Sequence, residues 1–288
     1  KMLEITAGTA QYADIPQLKR LWKAVIPSES DTYLEFYFQR RFEPSEVFLL
    51  RVNGKPVSMQ TAMRVSMMTR QGECSGRYIY AAMTHPDYRR QGYFRMLDDY
   101  MVGQLRRYGE TFTCLLAGNS SVTACCERLG YLPVFGRWMQ FVPLYRDAPM
   151  PPIIPLLFGK FSQLRSFFLE RIGSERDVVF HPGLELRYVY DEFLLTGGRI
   201  CGFVENGVER YAAYRLMEKQ KALVLMETDG DPFMTAQILM QHTGMKKAVV
   251  NTPTQQDDGG MYRLYGLGRI LNGGLFSKRG SYMSMMLD

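Results

Sequence analysis

With 288 residues, 46% of them hydrophobic and 22% charged, the chain is too apolar to be disordered and long enough for two domains. No apolar run reaches the roughly 18 to 20 residues of a bilayer-crossing helix, and KMLEITAGTA lacks a signal-peptide core, so a cytoplasmic protein without membrane contact is expected. A mild, dispersed net charge of +6, five cysteines (Cys74, Cys114, Cys125, Cys126, Cys201) without a CxxC pair and three scattered histidines argue against nucleic-acid binding, a disulfide framework and a metal centre.

In chain order, the segment 14–25, DIPQLKRLWKAV, predicts a helix with Asp14 as N-cap and Ile15, Leu18, Leu21, Trp22 and Val25 on one apolar face. A second helix is expected over 31–42. VFLLRVNGKPVSMQTAMRV reads as a hairpin, because Asn53-Gly54 supplies the positive φ angles of a tight turn. A strand at 77–84, a helix at about 92–108, a strand in TFTCLLAG, a short helix from about 120 to 129 and a last strand pair in YLPVFGRWMQFVPLY follow. Four prolines in DAPMPPIIPLLFG mark a linker. The expected division is a first domain over 1–147, a linker over 148–160 and a second domain over 161–288. The second domain reads as a diverged repeat. Asn206-Gly207 again joins two strands, ALVLMET is a third, a helix follows at about 232–242, and KAVVN is a strand. The stretch between third strand and helix is DGDPFM, acidic where the first copy is basic, so it would repel an anion.

The first copy's equivalent, HPDYRRQGYF over 85–94, is a strand-to-helix turn. A helix N-terminus offers unpaired N–H groups and the positive end of a dipole, and Arg89, Arg90 and Gly92 add fixed charge and close backbone approach. Together they suit a diphosphate. The plain alternative is a solvated basic turn at the start of an ordinary helix.

RRQGYF resembles the phosphate loop of the GCN5-related N-acetyltransferases (GNAT), with Arg89 and Gly92 in place and Phe94 where that loop has Gly or Ala. The bulky Phe94, the linker and the repeat without such a loop are similar to the Eis-like, tandem-domain branch. The resemblance implies an α/β (α+β) fold, a mixed, mostly antiparallel sheet flanked by helices, followed by a degenerate second domain of the same kind. It implies acetyl-CoA as co-substrate and no metal, with the pyrophosphate on Arg89, Arg90, Gln91, Gly92, Tyr93 and Phe94. The pantetheine arm would pair with Ala81, Ala82 and Met83.

In NSSVTACCERLGY, Asn119 falls where the family's asparagine holds that arm. Cys126 stands where the family often has a tyrosine that protonates the leaving thiolate. A thiol near its ordinary pKa of about 8.5 would match coenzyme A, and the alternative for Cys125 and Cys126 is small apolar packing. The strand 77–84 has no carboxylate, which leaves Glu35, Glu73, His85 and the carboxylates of Asp288 as base candidates, Asp288 by likeness to the Eis type. The expected reaction is direct transfer of an acetyl group to a primary amine of a small molecule or peptide. A non-catalytic acyl-CoA-binding regulatory module is the alternative. The aromatic helix DTYLEFYFQRRF would wall the acceptor cleft or simply form core. Nothing in the sequence sets an oligomeric state.

Overall fold

The structure, a computed structural model, describes residues 3–145, 147, 150–256, 259–273, 276 and 280–287. Its contacts divide the chain into two units: Lys1–Ser66, Ser75–Leu132 and Leu267–Leu275 make the first, and Met67–Cys74, Pro133–Gly266 and Phe276–Asp288 the second.

The first unit runs β1 (Ile5–Thr9), α1 (Ile15–Val25), α2 (Asp31–Arg40), β2 (Val47–Val52), β3 (Lys55–Thr69), β4 (Gly72–Thr84), α3 (Tyr93–Arg107), β5 (Phe112–Leu116) and α4 (Ser120–Arg128). Asn53 and Gly54 both take positive φ, 48° and 77°, which closes the β2–β3 hairpin as the sequence requires. The sheet order is β1-β2-β3-β4-β5. β1 and β2 are antiparallel, as are β2 and β3, whereas β4 and β5 are parallel.

On α3, Leu97, Met101, Val102 and Leu105 recur every three or four residues and are buried against Phe48, Leu50, Ile79, Leu115 and Cys126. Each such side chain contributes about 1.5–3 kcal/mol by leaving water. Three of the four aromatic residues of α2, Tyr33, Tyr37 and Phe38, are core and surround Trp22. Asp14 is the N-cap of α1 as expected, but its side chain does not bond the N–H groups of that helix. A 3-10 turn precedes the helix, and the Asp14 carboxylate accepts instead from the Gln11 N–H at 2.8 Å and from Arg51 at 2.7 Å.

The second unit comprises β6 (Leu132–Pro143), β7 (Ile154–Pro155), α5 (Phe158–Glu175), β8 (Asp177–Phe180), α6 (Gly183–Leu195), β9 (Gly198–Glu205), β10 (Val208–Met217), β11 (Ala222–Thr228), α7 (Pro232–Thr243) and β12 (Lys247–Thr252). β13 (Met261–Ile270) and β14 (Ser281–Met283) follow. The sheet order is β6-β12-β11-β10-β9-β7, with β14 beside β6 and β8. β9, β10, β11, α7 and β12 repeat the order of β2, β3, β4, α3 and β5. The repeat extends to an Asn206-Gly207 turn with φ of 51° and 78° and to a parallel last pair, β11 and β12.

Three expectations change. The boundary falls at Leu132/Pro133 rather than after 147, because β6 pairs antiparallel with β12 from Lys247↔Pro143 to Thr252↔Trp138. β6 is one strand, not two. α5 and α6, which the sequence reading passed over, fill the interval before β9. The C-terminal half of β13 returns to the first unit, where the Leu271 N–H donates to the Thr111 carbonyl at 2.8 Å.

Candidate acyl-donor site

β4 and β5 are paired only from Gly76↔Phe112 to Tyr78↔Cys114. Beyond that pair the strands part, and Ala81, Ala82 and Met83 run along the open edge of β4 towards α3. Ala81 takes φ of 49°, a conformation rare for a side chain with a Cβ, and it kinks the strand where the opening begins. The three residues are not equivalent: Ala82 is exposed, whereas Met83 is buried and its carbonyl accepts from Ser58 Oγ at 3.0 Å.

The turn after β4 is built from its own side chains. His85 Nδ1 accepts from the Asp87 N–H at 3.3 Å, Arg89 Nε donates to the Thr84 carbonyl at 3.1 Å, and Gln91 Nε2 donates to the Asp87 carbonyl at 3.2 Å. Arg90 and Gly92 both lie in the left-handed region, with φ of 62° and 82°. Gly92 is the N-cap of α3 and has no side chain with which to cap. A Cβ there would meet nothing within 4 Å, so the glycine answers to backbone conformation and leaves the helix end open.

The first-turn N–H groups of Tyr93, Phe94 and Arg95 have no intrahelical acceptor. Arg89, Arg90, Gln91 and Gly92 are exposed at that end, Phe94 is half-buried, and Tyr93 turns into the core. The arrangement offers donors and positive charge to an anion. A pyrophosphate fits it: the amides are uncapped, two guanidinium groups flank them, and the turn is held by bonds that leave the Arg90 side chain to solvent.

The other expected residues are placed differently. Asn119 is the N-cap of α4, and its Oδ1 accepts from the Val122 N–H at 3.0 Å. Cys126 lies on the inner face of α4, 3% exposed, among Leu97, Met101 and Tyr131. Burial first, and then Cys125 and Asp98, push its thiol up to about 12, far from the value near 8.5 that would match a coenzyme A thiolate. Such burial is what the packing alternative for the residue expects. Glu35 is exposed and paired with Lys19, Glu73 is exposed on β4, and Asp288 lies outside the described residues.

A buried carboxylate that the sequence reading missed, Asp98 on α3, is 1% exposed and bonded to Arg269 at 2.8 Å. Burial lifts its pKa to about 6 against the opposing pull of Arg269. Its place on the inner face of α3 was visible in the helical spacing. Its partner, 171 residues away, was not. Glu46 is a second case: it accepts from Arg41 at 2.6 Å, Arg77 at 2.9 Å and Arg64 at 3.0 Å.

Residues 7–134 match the family model of the acetyltransferase (GNAT) domain. Among curated proteins the sequence has no match. Solved structures of similar fold include a probable N-acyltransferase from Enterococcus faecalis V583, with a TM-score of 0.73, 12% identity and coverage of 94% of this chain and 73% of that one. Eis1 from Mycobacterium abscessus aligns with a TM-score of 0.64, 11% identity and coverage of 94% and 74%. The N-myristoyltransferase of Saccharomyces cerevisiae, solved with myristoyl-CoA, gives 0.56, 11%, 92% and 78%. At these identities the structures speak for fold, and the domain model speaks for the site's lineage. Residues 7–134, rather less than half of the chain, are thus similar in sequence to the acetyltransferase (GNAT) domain.

Proposed function

We propose that the chain transfers an acetyl group from acetyl-CoA to a primary amine of a small molecule or peptide, by direct attack of the amine. The observation that carries this reading is the parting of β4 from β5 beside an uncapped, arginine-flanked helix end. Acetyl-CoA, when bound, supplies the activated thioester. The first-turn amides of α3 with Arg89 and Arg90 hold its pyrophosphate, and the edge of β4 from Ala81 to Met83 lies along the pantetheine arm. Ala82 is the exposed residue of that edge. The second unit, with the same element order, is a degenerate copy that keeps the sheet and has lost the phosphate turn. A base near the amine would come from His85, Glu35, Glu73 or the terminal carboxylates of Asp288.

The burial of Cys126 favours a second reading, an acyl-CoA-binding module without turnover, since the family's usual proton donor is replaced by a core thiol. Titration of acetyl-CoA and free coenzyme A into the protein, followed by thiol-release assays over a panel of amines, tests both. Binding with thiol release supports the transferase, and binding without release for any amine supports the module. No binding refutes both.

A further inference from the structure

The second unit has its own parted strand pair. β11 and β12 are in register from Ala222↔Lys247 to Leu225↔Val250, and beyond this they enclose a cleft of about 300 Å³ floored by Glu227, Thr228, Asn251 and Thr252. Its apolar wall includes Phe168 and Ile172 of α5.

Three features define what the cleft would take. First, Asn251 is only 4% exposed and donates through Nδ2 to the Leu225 carbonyl at 3.0 Å, while its enclosed Oδ1 has no hydrogen-bond donor among the described residues. An enclosed acceptor left in that state is a cost to the fold, and a donor entering the cleft recovers it. Second, the lining carries four carboxylates, Glu175, Glu227, Asp229 and Asp231, and two guanidinium groups, Arg171 and Arg210; Glu227 is paired with the buried Arg165 at 2.8 Å, which leaves Glu175, Asp229 and Asp231 against the two arginines. Arg210 is already held by Glu205 at 3.4 Å and Asp229 at 3.9 Å. Third, the helix end that binds an anion in the first unit is closed here. The Asp231 carboxylate caps α7 by accepting from the Met234 N–H at 2.7 Å, and Pro232 has no N–H to offer.

We infer that this cleft is a binding site for a small molecule carrying an ammonium or guanidinium group, whose N–H donors meet Asn251 Oδ1 and whose charge is balanced by Asp229 and Glu175. The inference concerns the second unit alone and does not rest on the transfer reaction. Burial raises the Asp229 carboxyl above its ordinary range in spite of the Tyr211 N–H and the Arg210 guanidinium, so a further cation beside it favours its charged form.

The test is calorimetric titration of putrescine and of agmatine into the full chain without any coenzyme, with 1,4-butanediol as the neutral control. The expected result is saturable one-to-one binding of the amines, none of the diol, and at least a tenfold loss in Asn251→Leu and in Glu175→Lys. Arg89→Glu should bind the amines as the wild type does. Should Asn251→Leu melt without a folded baseline, Glu175→Lys decides, because that side chain is exposed at the end of α5. No saturable heat up to about 10 mM amine overturns the inference. So does binding indifferent to Glu175→Lys, and so does binding lost in Arg89→Glu, which would put the amine at the transfer site.

Discussion

The opening between β4 and β5 and the opening between β11 and β12 are built on one plan and carry opposite chemistry. Each is a parallel pair in register for only three or four residues, followed by a helix on the same connection. After β4 the chain reads RRQGYF and the helix starts at an uncapped glycine. After β11 it reads DGDPFM and the helix starts at a self-capping aspartate followed by proline. The sheet parts in the same way in both places, and six residues of turn give the two openings opposite charge.

The comparison can be broken or sharpened by four changes, taken from the largest expected effect. Glu227→Ala removes the partner of Arg165, which is bonded to it at 2.8 Å with side-chain exposures of 1% and 0%. The buried guanidinium left behind should lower unfolding free energy by about 3–5 kcal/mol in denaturant melts. A loss under 1 kcal/mol would mean that the Arg165–Glu227 pair does not hold the floor of the second opening.

Arg89→Glu with Gly92→Glu should weaken acetyl-CoA binding at least about a hundredfold, near 3 kcal/mol by titration. Retained affinity would remove the anion role from the first opening.

Asp98 gives a pH-dependent case. Its carboxyl titrates near 6 in the folded protein against about 3.9 when unfolded, so the fold holds the proton more tightly. The corresponding stabilisation is complete below pH 4 and is lost as pH rises through 6. Relative to Asp98→Asn, the wild type should lose about 2–3 kcal/mol between pH 4 and pH 7. A flat difference would show that Arg269 offsets burial in full.

Cys126→Ala is the smallest change: about 1 kcal/mol of stability from lost packing and a transfer rate within about twofold of wild type. A rate drop of a hundredfold or more would restore the thiol as a proton donor.

Much of the fold was legible because it is written locally. Asn53-Gly54 and Asn206-Gly207 announced both hairpins, and the spacing of Phe94, Leu97, Met101 and Leu105 announced α3. The phosphate turn was legible for the same reason: Arg89, Arg90 and Gly92 lie within four residues. What the sequence hid is non-local. The assignment of β6 to the second unit depends on its partner β12, more than a hundred residues on. Cys126 carries no mark of its depth, since alanine, threonine and cysteine alternate on both faces of α4. The left-handed Ala81 has no sequence signal at all, because alanine rarely adopts that conformation.

The return of the chain through β13 bears on how the first unit is made. Arg269 meets Asp98, Leu271 meets Thr111, and Asn272 Nδ2 donates to the carbonyls of Arg106 and Glu110, both at 2.9 Å. These bonds span 160 residues or more, so they form late and at a high loop-closure cost. During synthesis, β5 emerges with the other strands of its sheet and then stays an open edge until the segment around Arg269 to Asn272 has also left the ribosome. A fragment cut at the linker would keep that edge exposed permanently, and aggregation rather than an isolated acetyltransferase domain is its expected fate.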